Sequence, residues 1–295
     1  MILVAGAKGR LGSLVVSELA ARGQSVRALV RSASEYRPPD GSGVEVTEGD
    51  VRDAAAVNRA AVGVDTVISA VHGMLGRSVH SLEDVDIAGN QNLVGAAVSH
   101  GVGRFVLLSM HGASDSNPLE LARAKYHAEE ALTASSLVGV IVRPAAFLET
   151  WLDVIAGPGP RPLILGRGRN PINFVSVRDV ASVVVQSALG TFRGVLEIGG
   201  PDNLTLEQFA GGLIEAGIRS GTPRRIPRTA LRFTGWAARR IRPVVARLAR
   251  SAVDLDTHDH TAGTGNARTL IPSVPLTGFA DVIATFPRVP TAGNR

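Results

Sequence analysis

No cysteine occurs anywhere in the 295 residues, so disulfides and thiolate-held metals are excluded. The seven histidines, at positions 72, 80, 100, 111, 127, 258 and 260, never adopt the H-E-x-x-H spacing of a zinc site. No metal is therefore expected, and the tract DLDTHDH at 254–260 reads as a solvated acidic loop. Long apolar runs are missing too: the longest, such as 180–185, fall far short of the roughly 20 residues that a membrane span needs. The opening MILVAGAKGR lacks a basic leader and a cleavage site and reads as a strand, which points to a soluble cytoplasmic protein. Lysine is nearly absent as well. Lys8 and Lys125 are the only two, and arginine supplies the rest of a formal net charge of +5. Two lysines in an arginine-biased chain make their positions informative.

What is present is a mixed α/β pattern. Hydrophobic residues make up 45% of the chain, enough for one large core or for one core with a small appended lobe. Strand runs at 2–5, 25–30, 44–47, 65–70, 104–109 and 139–142 alternate with helical runs at 11–22, 54–61, 82–100 and 119–135. Strands separated by helices of this length build a parallel sheet with right-handed crossovers. The fold class expected is a Rossmann-type, doubly wound α/β sheet over residues 1–150. A smaller, interwoven C-terminal substrate lobe follows over 151–295. In it, 177–189 and 204–217 read as helices, the second capped by Thr205, and 195–198 as a strand. Residues 222–250 carry nine arginines interleaved with Leu231, Phe233, Trp236 and Ile241. They read as a covering helix of the second lobe with an arginine-rich outer face, in preference to a basic amphipathic helix on a membrane or nucleic acid, so neither is expected as partner.

The chemistry begins at the first strand. Gly6, Gly9 and Gly12 follow it and open a helix, the context that a dinucleotide-binding glycine motif requires. Gly6 allows the tight turn, Gly9 the approach of backbone to pyrophosphate, and Gly12 close helix–sheet packing, with Arg10 and Leu11 at the helix amino end. An NAD site would place Asp or Glu at the end of the second strand; here Arg31 stands in its place and Lys8 lies on the same side. Two cations without a carboxylate suit a 2′-phosphate, so NADP(H) is expected in preference to NAD(H). Asp50 and Val51 would meet the adenine, or Asp50 would cap the helix that follows.

The segments GAKGRLG (6–12), ALVR (28–31), GDVRD (49–53), VISAVHG (67–73), FVLLSMHGA (105–113), ARAKYHAEEAL (122–132), VRPAAFLE (142–149), FVSVRDVA (174–181) and EIGGPDNLTLEQFA (197–210) run in order along the chain. Together they resemble the atypical short-chain dehydrogenases/reductases of the NmrA-like group, kin to isoflavone-reductase-like and quinone-reductase-like proteins. The resemblance implies Ser109 and Lys125 as catalytic residues, with Ala70, Val71, His72, Lys125, Pro144 and Phe147 along the cofactor. It also exposes a departure. The family's tyrosine belongs four residues before the lysine, where Leu121 stands, and Tyr126 points about 100° away on a helix. Lys125, or His111 and His72 past the strand ends, would then handle protons; Lys125 could instead be a surface residue paired with Glu129. Phe147 and Trp151 would wall the nicotinamide or pack a core, and Asp179 would fix a helix start. The leading expectation is reduction of a small apolar carbonyl, quinone or enone by NADPH, with a homodimer compatible. The alternative is a non-catalytic NADP(H)-sensing regulator that binds a protein partner.

Overall fold

The computed structural model describes residues 1–286. Residues 287–295, the end of the predicted second lobe, lie outside them. In chain order the elements begin with β1 (Ile2–Ala5), α1 (Arg10–Ala21), β2 (Val26–Val30), β3 (Glu45–Glu48), α2 (Ala54–Ala60) and β4 (Thr66–Ser69). A π-helical turn (Glu83–Ala88) leads into α3 (Gly89–Ser99), followed by β5 (Arg104–Leu108), α4 (Glu120–Thr133) and β6 (Gly139–Pro144). Next come β7 (Ala146–Phe147), α5 (Leu148–Ala156), β8 (Leu163–Leu165), β9 (Ile172–Val175), α6 (Val177–Leu189) and β10 (Gly194–Ile198). The chain continues through β11 (Asp202–Leu204), α7 (Leu206–Glu215), β12 (Arg224–Ile226), α8 (Arg228–Ala237), α9 (Pro243–Leu255), α10 (Ala267–Leu270) and α11 (Phe279–Thr285).

The first unit comprises Met1–Pro144, Val177–Ile198 and Gly265–Pro275. Its seven-stranded sheet has the order β10-β6-β5-β4-β1-β2-β3, with every ladder parallel. The strands carry the aliphatic runs that a sheet covered on both faces demands: all four residues of β1 are buried. Helix α1 buries Leu11, Val15 and Leu19 at helical spacing, and α2 is N-capped by Asp53, whose side chain accepts from the Ala55 and Ala56 amides. Strand order reverses between β1 and β4, which makes their carboxyl ends the switch point of the sheet. The helix read at 82–100 begins instead as a π-helical turn, and that turn buries Asp86 completely. Asp179 is likewise buried, accepting from Arg268 at 3.0 Å.

Among the described residues, the second unit comprises Ala145–Ser176, Gly199–Thr264 and residues 276–286. Two small sheets, β11-β9-β7 and β12-β8, flank a core of Leu148, Leu152, Ile155, Phe174, Phe209 and Leu213. Trp151, Phe174, Phe209 and Phe279 meet in a chain of tilted and edge-on rings, so Trp151 packs into this core. Thr205 caps α7 as expected, in a reciprocal capping box with Gln208.

One expectation about this unit is overturned. Residues 254–260 do not form a solvated loop: α9 runs through Leu255, and Asp254 and Asp256 are buried. Asp256 accepts from the Arg167 and Gly168 amides and from Arg228 Nε at 2.7 Å, which compensates its charge; Asp254 pairs with His258 and His260. Among the described residues no three such side chains are arranged to hold a metal ion, and no helix is long and apolar enough to cross a membrane.

Candidate dinucleotide site

Every site residue predicted from sequence except Phe147 and Trp151 lies in the first unit; Phe147 belongs to β7 and Trp151 to α5 of the second. The glycine turn joins β1 to α1. Gly6 sits at φ +84°, where a side chain would be strained, and a Cβ there would meet the Ala70 carbonyl oxygen. A Cβ at Gly12 would run into the carbonyl of Gly6. Gly9 donates to Gly6 O at 2.9 Å and is the N-cap of α1. Among the described residues no side chain caps that helix, and its first turn carries no acid. The amino end of α1 is thus a backbone-lined cradle of positive potential, which suits a pyrophosphate.

The β2 corner lies one strand away. Arg31 follows β2 and is exposed, as is Lys8. The Gly49 amide donates to Val30 O at 2.8 Å and ties the end of β3 to this corner. The expected absence of a carboxylate is corrected here. Glu35, four residues beyond Arg31 and outside the motif's window, turns back so that its Oε2 lies 2.6 Å from Lys8 Nζ. Its carboxyl is held below the usual carboxylate range, chiefly by the Lys8 hydrogen bond and charge, with Arg31 adding a smaller pull. Asp50 is paired with Arg52, whose hydrogen bonds lower its pKa against the opposing effect of partial burial; the helix cap is Asp53, not Asp50. Val51 is buried, and its carbonyl accepts from Asn92.

The corner past β4 is polar but closed. Ala70 and Val71 are buried. The Ala70 amide donates to Ala5 O, which sets this turn against the glycine turn. Lys125 is not the surface lysine that pairing with Glu129 would make it: it is buried, while Glu129 is engaged bidentately by Arg143. Lys125 Nζ donates to Val71 O at 2.7 Å and stands 2.9 Å from Asp86 Oδ1, a close ion pair rather than an aligned hydrogen bond. Asp86 Oδ2 accepts from the Gly73 amide at 2.6 Å. Asn90 extends the network, accepting from Ser69 Oγ and donating to the Asp86 carbonyl. His72 is exposed as a residue; its pKa is lowered first by the low-dielectric surroundings and then by the Lys125 ammonium, with Asp86 opposing.

Past β5, the Ser109 amide donates to Val142 O and the His111 amide to Pro144 O, so these residues extend the β5–β6 ladder. The Ser109 hydroxyl is buried and has no hydrogen-bond partner among the described residues. The His111 side chain is exposed. A surface depression lined by Ile87, Gln91, His127, Glu130, Ala131 and Ala134 holds none of the predicted site residues.

Asp86 and Glu35 were not anticipated. A signal for Asp86 was present: Asp86, Asn90, Leu93 and Ala97 follow helical spacing, so a carboxylate and an amide continue an apolar stripe. The uncapped cradle and the two cations of the β2 corner fit a phosphorylated dinucleotide.

Comparison with known proteins agrees with that fit. Residues 6–189 match the family model described as NAD(P)H-binding. The chain is 29% identical over 224 residues to the NAD(P)H azoreductase of Xenophilus azovorans, covering 74% of each protein. It is 32% identical over 214 residues to the (4-alkanoyl-5-oxo-2,5-dihydrofuran-3-yl)methyl phosphate reductase of Streptomyces griseus, covering 70% of this chain and 71% of that one. Quinone oxidoreductase 2 of Escherichia coli is 25% identical over 218 residues, or 72% of this chain and 73% of the relative. In fold, the chain is similar to the crystal structure of an Escherichia coli NADPH-dependent quinone oxidoreductase complexed with NADPH. The TM-score is 0.77 at 21% identity, over 96% of this chain and 99% of that one. The motifs, the sheet order and the family match converge: the chain belongs to the NAD(P)H-binding family.

Proposed function

We propose that the protein is an NADPH-dependent oxidoreductase that reduces a small, largely apolar quinone, enone or related carbonyl compound in the cytoplasm. The observation that carries this reading is the adjacency, at the sheet's switch point, of the glycine cradle and the buried Lys125–Asp86 pair. The relatives described above are reductases or oxidoreductases by name, which favours turnover over a purely sensing role.

In this reading the backbone of Gly6, Lys8, Gly9, Arg10, Leu11 and Gly12 receives the pyrophosphate. Lys8 and Arg31 face the 2′-phosphate; Asp50 and Val51 border the adenine; Ala70, Val71, His72 and Pro144 line the remainder. A bound dihydronicotinamide supplies the hydride. Lys125 acts as a fixed positive charge: Val71 O and Asp86 occupy two of its directions, which leaves one N–H for a ribose hydroxyl. Asp86 acts through Lys125 and is a positioning residue. The Ser109 hydroxyl, without a protein partner, donates to the substrate oxygen, and exposed His111 passes a proton from solvent. No phenol is available because Leu121 stands at the tyrosine position. Quinones tolerate that loss, since the hydroquinone anion formed on hydride addition is stabilised by its ring and takes its proton from water.

Steady-state oxidation of NADPH and NADH against a panel of quinones tests the proposal. Turnover with NADPH preferred is the expected result. Cofactor binding without turnover across the panel overturns the catalytic reading; equal or better use of NADH overturns the assignment of Lys8 and Arg31.

A further inference from the structure

Residues 222–250 hold nine arginines and not one aspartate or glutamate. Within this stretch, α8 and the first part of α9 pack against each other through Leu231, Gly235, Ala246 and Ala249. A Cβ at Gly235 would crowd Arg250 and approach the Ala246 carbonyl. The arginine-rich outer face expected from the sequence is present, with large apolar side chains among the arginines. Phe233 is 66% exposed, Trp236 64% and Ile241, in the connection to α9, 84%. On α8, Phe233 and Trp236 lie roughly 140–200° around the helix from Leu231, on the half turned away from α9. Their rings touch each other, with centroids 6.0 Å apart. Val245 and Leu248 of α9 are exposed as well. Arg225 and Arg228 are committed to Glu207 and Asp256, but Arg232, Arg239, Arg240 and Arg242 form no ion pair among the described residues.

We infer that the α8–α9 hairpin docks on an anionic phospholipid surface. Charge decides the class of partner. A second copy would bring another acid-free, nine-arginine segment against the first, and like charges would oppose the contact. Phosphate-bearing surfaces attract it. Among these, a lipid interface also accepts what a nucleic acid backbone does not. Aliphatic Ile241, Val245 and Leu248 gain by entering the headgroup–acyl boundary, where an indole and a phenyl ring sit favourably beside arginines. The hairpin is too short to span and would lie in the interface. A reductase so placed meets apolar substrates where they are most concentrated.

The test is co-sedimentation of the full chain with vesicles of phosphatidylcholine alone or mixed with phosphatidylglycerol. The mixed vesicles should retain the protein at low salt and release it at high salt, and neutral vesicles should not. In a Trp151→Phe background, Trp236 emission should shift to the blue on binding. Two variants should each lower partitioning by at least about tenfold while NADPH oxidation is kept. The first is Phe233→Ser/Trp236→Ser/Ile241→Ser, and the second is Arg232→Gln/Arg239→Gln/Arg240→Gln/Arg242→Gln. Three results overturn the inference: no retention by anionic vesicles, undiminished retention of the apolar triple variant, or a solution dimer that already shields Trp236. Duplex or single-stranded DNA that outcompetes the vesicles at equal phosphate reassigns the surface to nucleic acid and overturns it too.

Discussion

The two lysines of this chain stand at opposite ends of the proposed cofactor site, each beside a carboxylate, and the two pairs behave oppositely. Lys125 and Asp86 are 2.9 Å apart with side chains 4% and 0% exposed; Lys8 and Glu35 are 2.6 Å apart with side chains 55% and 66% exposed. Distance alone would rank the surface pair the stronger. Burial separates them. Taking either member from the buried pair leaves an uncompensated charge inside the fold, so that end of the site is fixed. The surface pair is screened by solvent and contributes little, so its lysine can exchange a carboxylate for a phosphate. On the proposed reading, the nicotinamide end is built for geometry and the adenosine end for exchange.

The largest effect should come from breaking the buried pair on one side. Asp86→Ala strands the Lys125 ammonium, and unfolding in urea should show a loss of about 3–5 kcal/mol. The double variant Asp86→Leu/Lys125→Met removes both charges and should recover most of that loss. A double variant as unstable as the single one would mean that packing, not charge, makes Asp86 indispensable. The same double variant sharpens the functional half. It should fold and bind NADPH, yet its kcat for quinone reduction should fall by about a hundredfold or more, because no fixed charge remains at the ribose.

His72 tests the same corner through pH. Its pKa is lowered from 6.5 in the folded chain, so the folded state binds its proton less readily than the unfolded state. Acid therefore favours unfolding: stability should rise with pH through the window below about 6.5 and level off above it. His72→Gln should flatten that rise in urea titrations run from pH 5 to 7 (roughly the imidazole range). Removing the ammonium by Lys125→Met should return part of the shift, and an unchanged slope in both variants would exclude His72 as its origin.

Six of the sheet's seven strands were legible because β-branched strand runs and helical spacing alternate cleanly from Ile2 to Val142; α6 was read to its ends and β10 as a strand, but both were assigned to the second lobe and belong to the first unit. The cradle was legible because Gly6 and Gly12 each answer a local backbone demand. The short strands of the second unit, such as β7 and β12, carry two or three residues and leave no periodic trace. Pro243 divides the arginine-rich segment into two helices, a boundary that its composition alone concealed. Asp86 escaped for a different reason. It lies 39 residues before Lys125, beside Glu83 and Asp84, and reads as one more acid of a solvated helix start. The helical spacing it shares with Asn90 and Leu93 was the one counter-signal, and the packing of the π-helical turn shows that this carboxylate faces inward.

The smallest expected effect bears on the other half of the comparison. Glu35 holds Lys8 in the place that a 2′-phosphate would claim, and its lowered pKa keeps it ionised throughout the neutral range. NADPH must then displace a carboxylate from Lys8, whereas NADH, which lacks the phosphate, need not. Glu35→Gln should lower the KM for NADPH by about two- to fivefold and leave that for NADH nearly unchanged. Lys8→Gln should raise the NADPH value alone, and in that background Glu35→Gln should have no further effect. Added salt should narrow the difference between wild type and Glu35→Gln, since both partners are exposed. A Glu35→Gln variant that shifted both cofactors equally would place the carboxylate's influence away from the phosphate. Glu35 would then be tuning the fold of the β2 corner rather than the choice of dinucleotide.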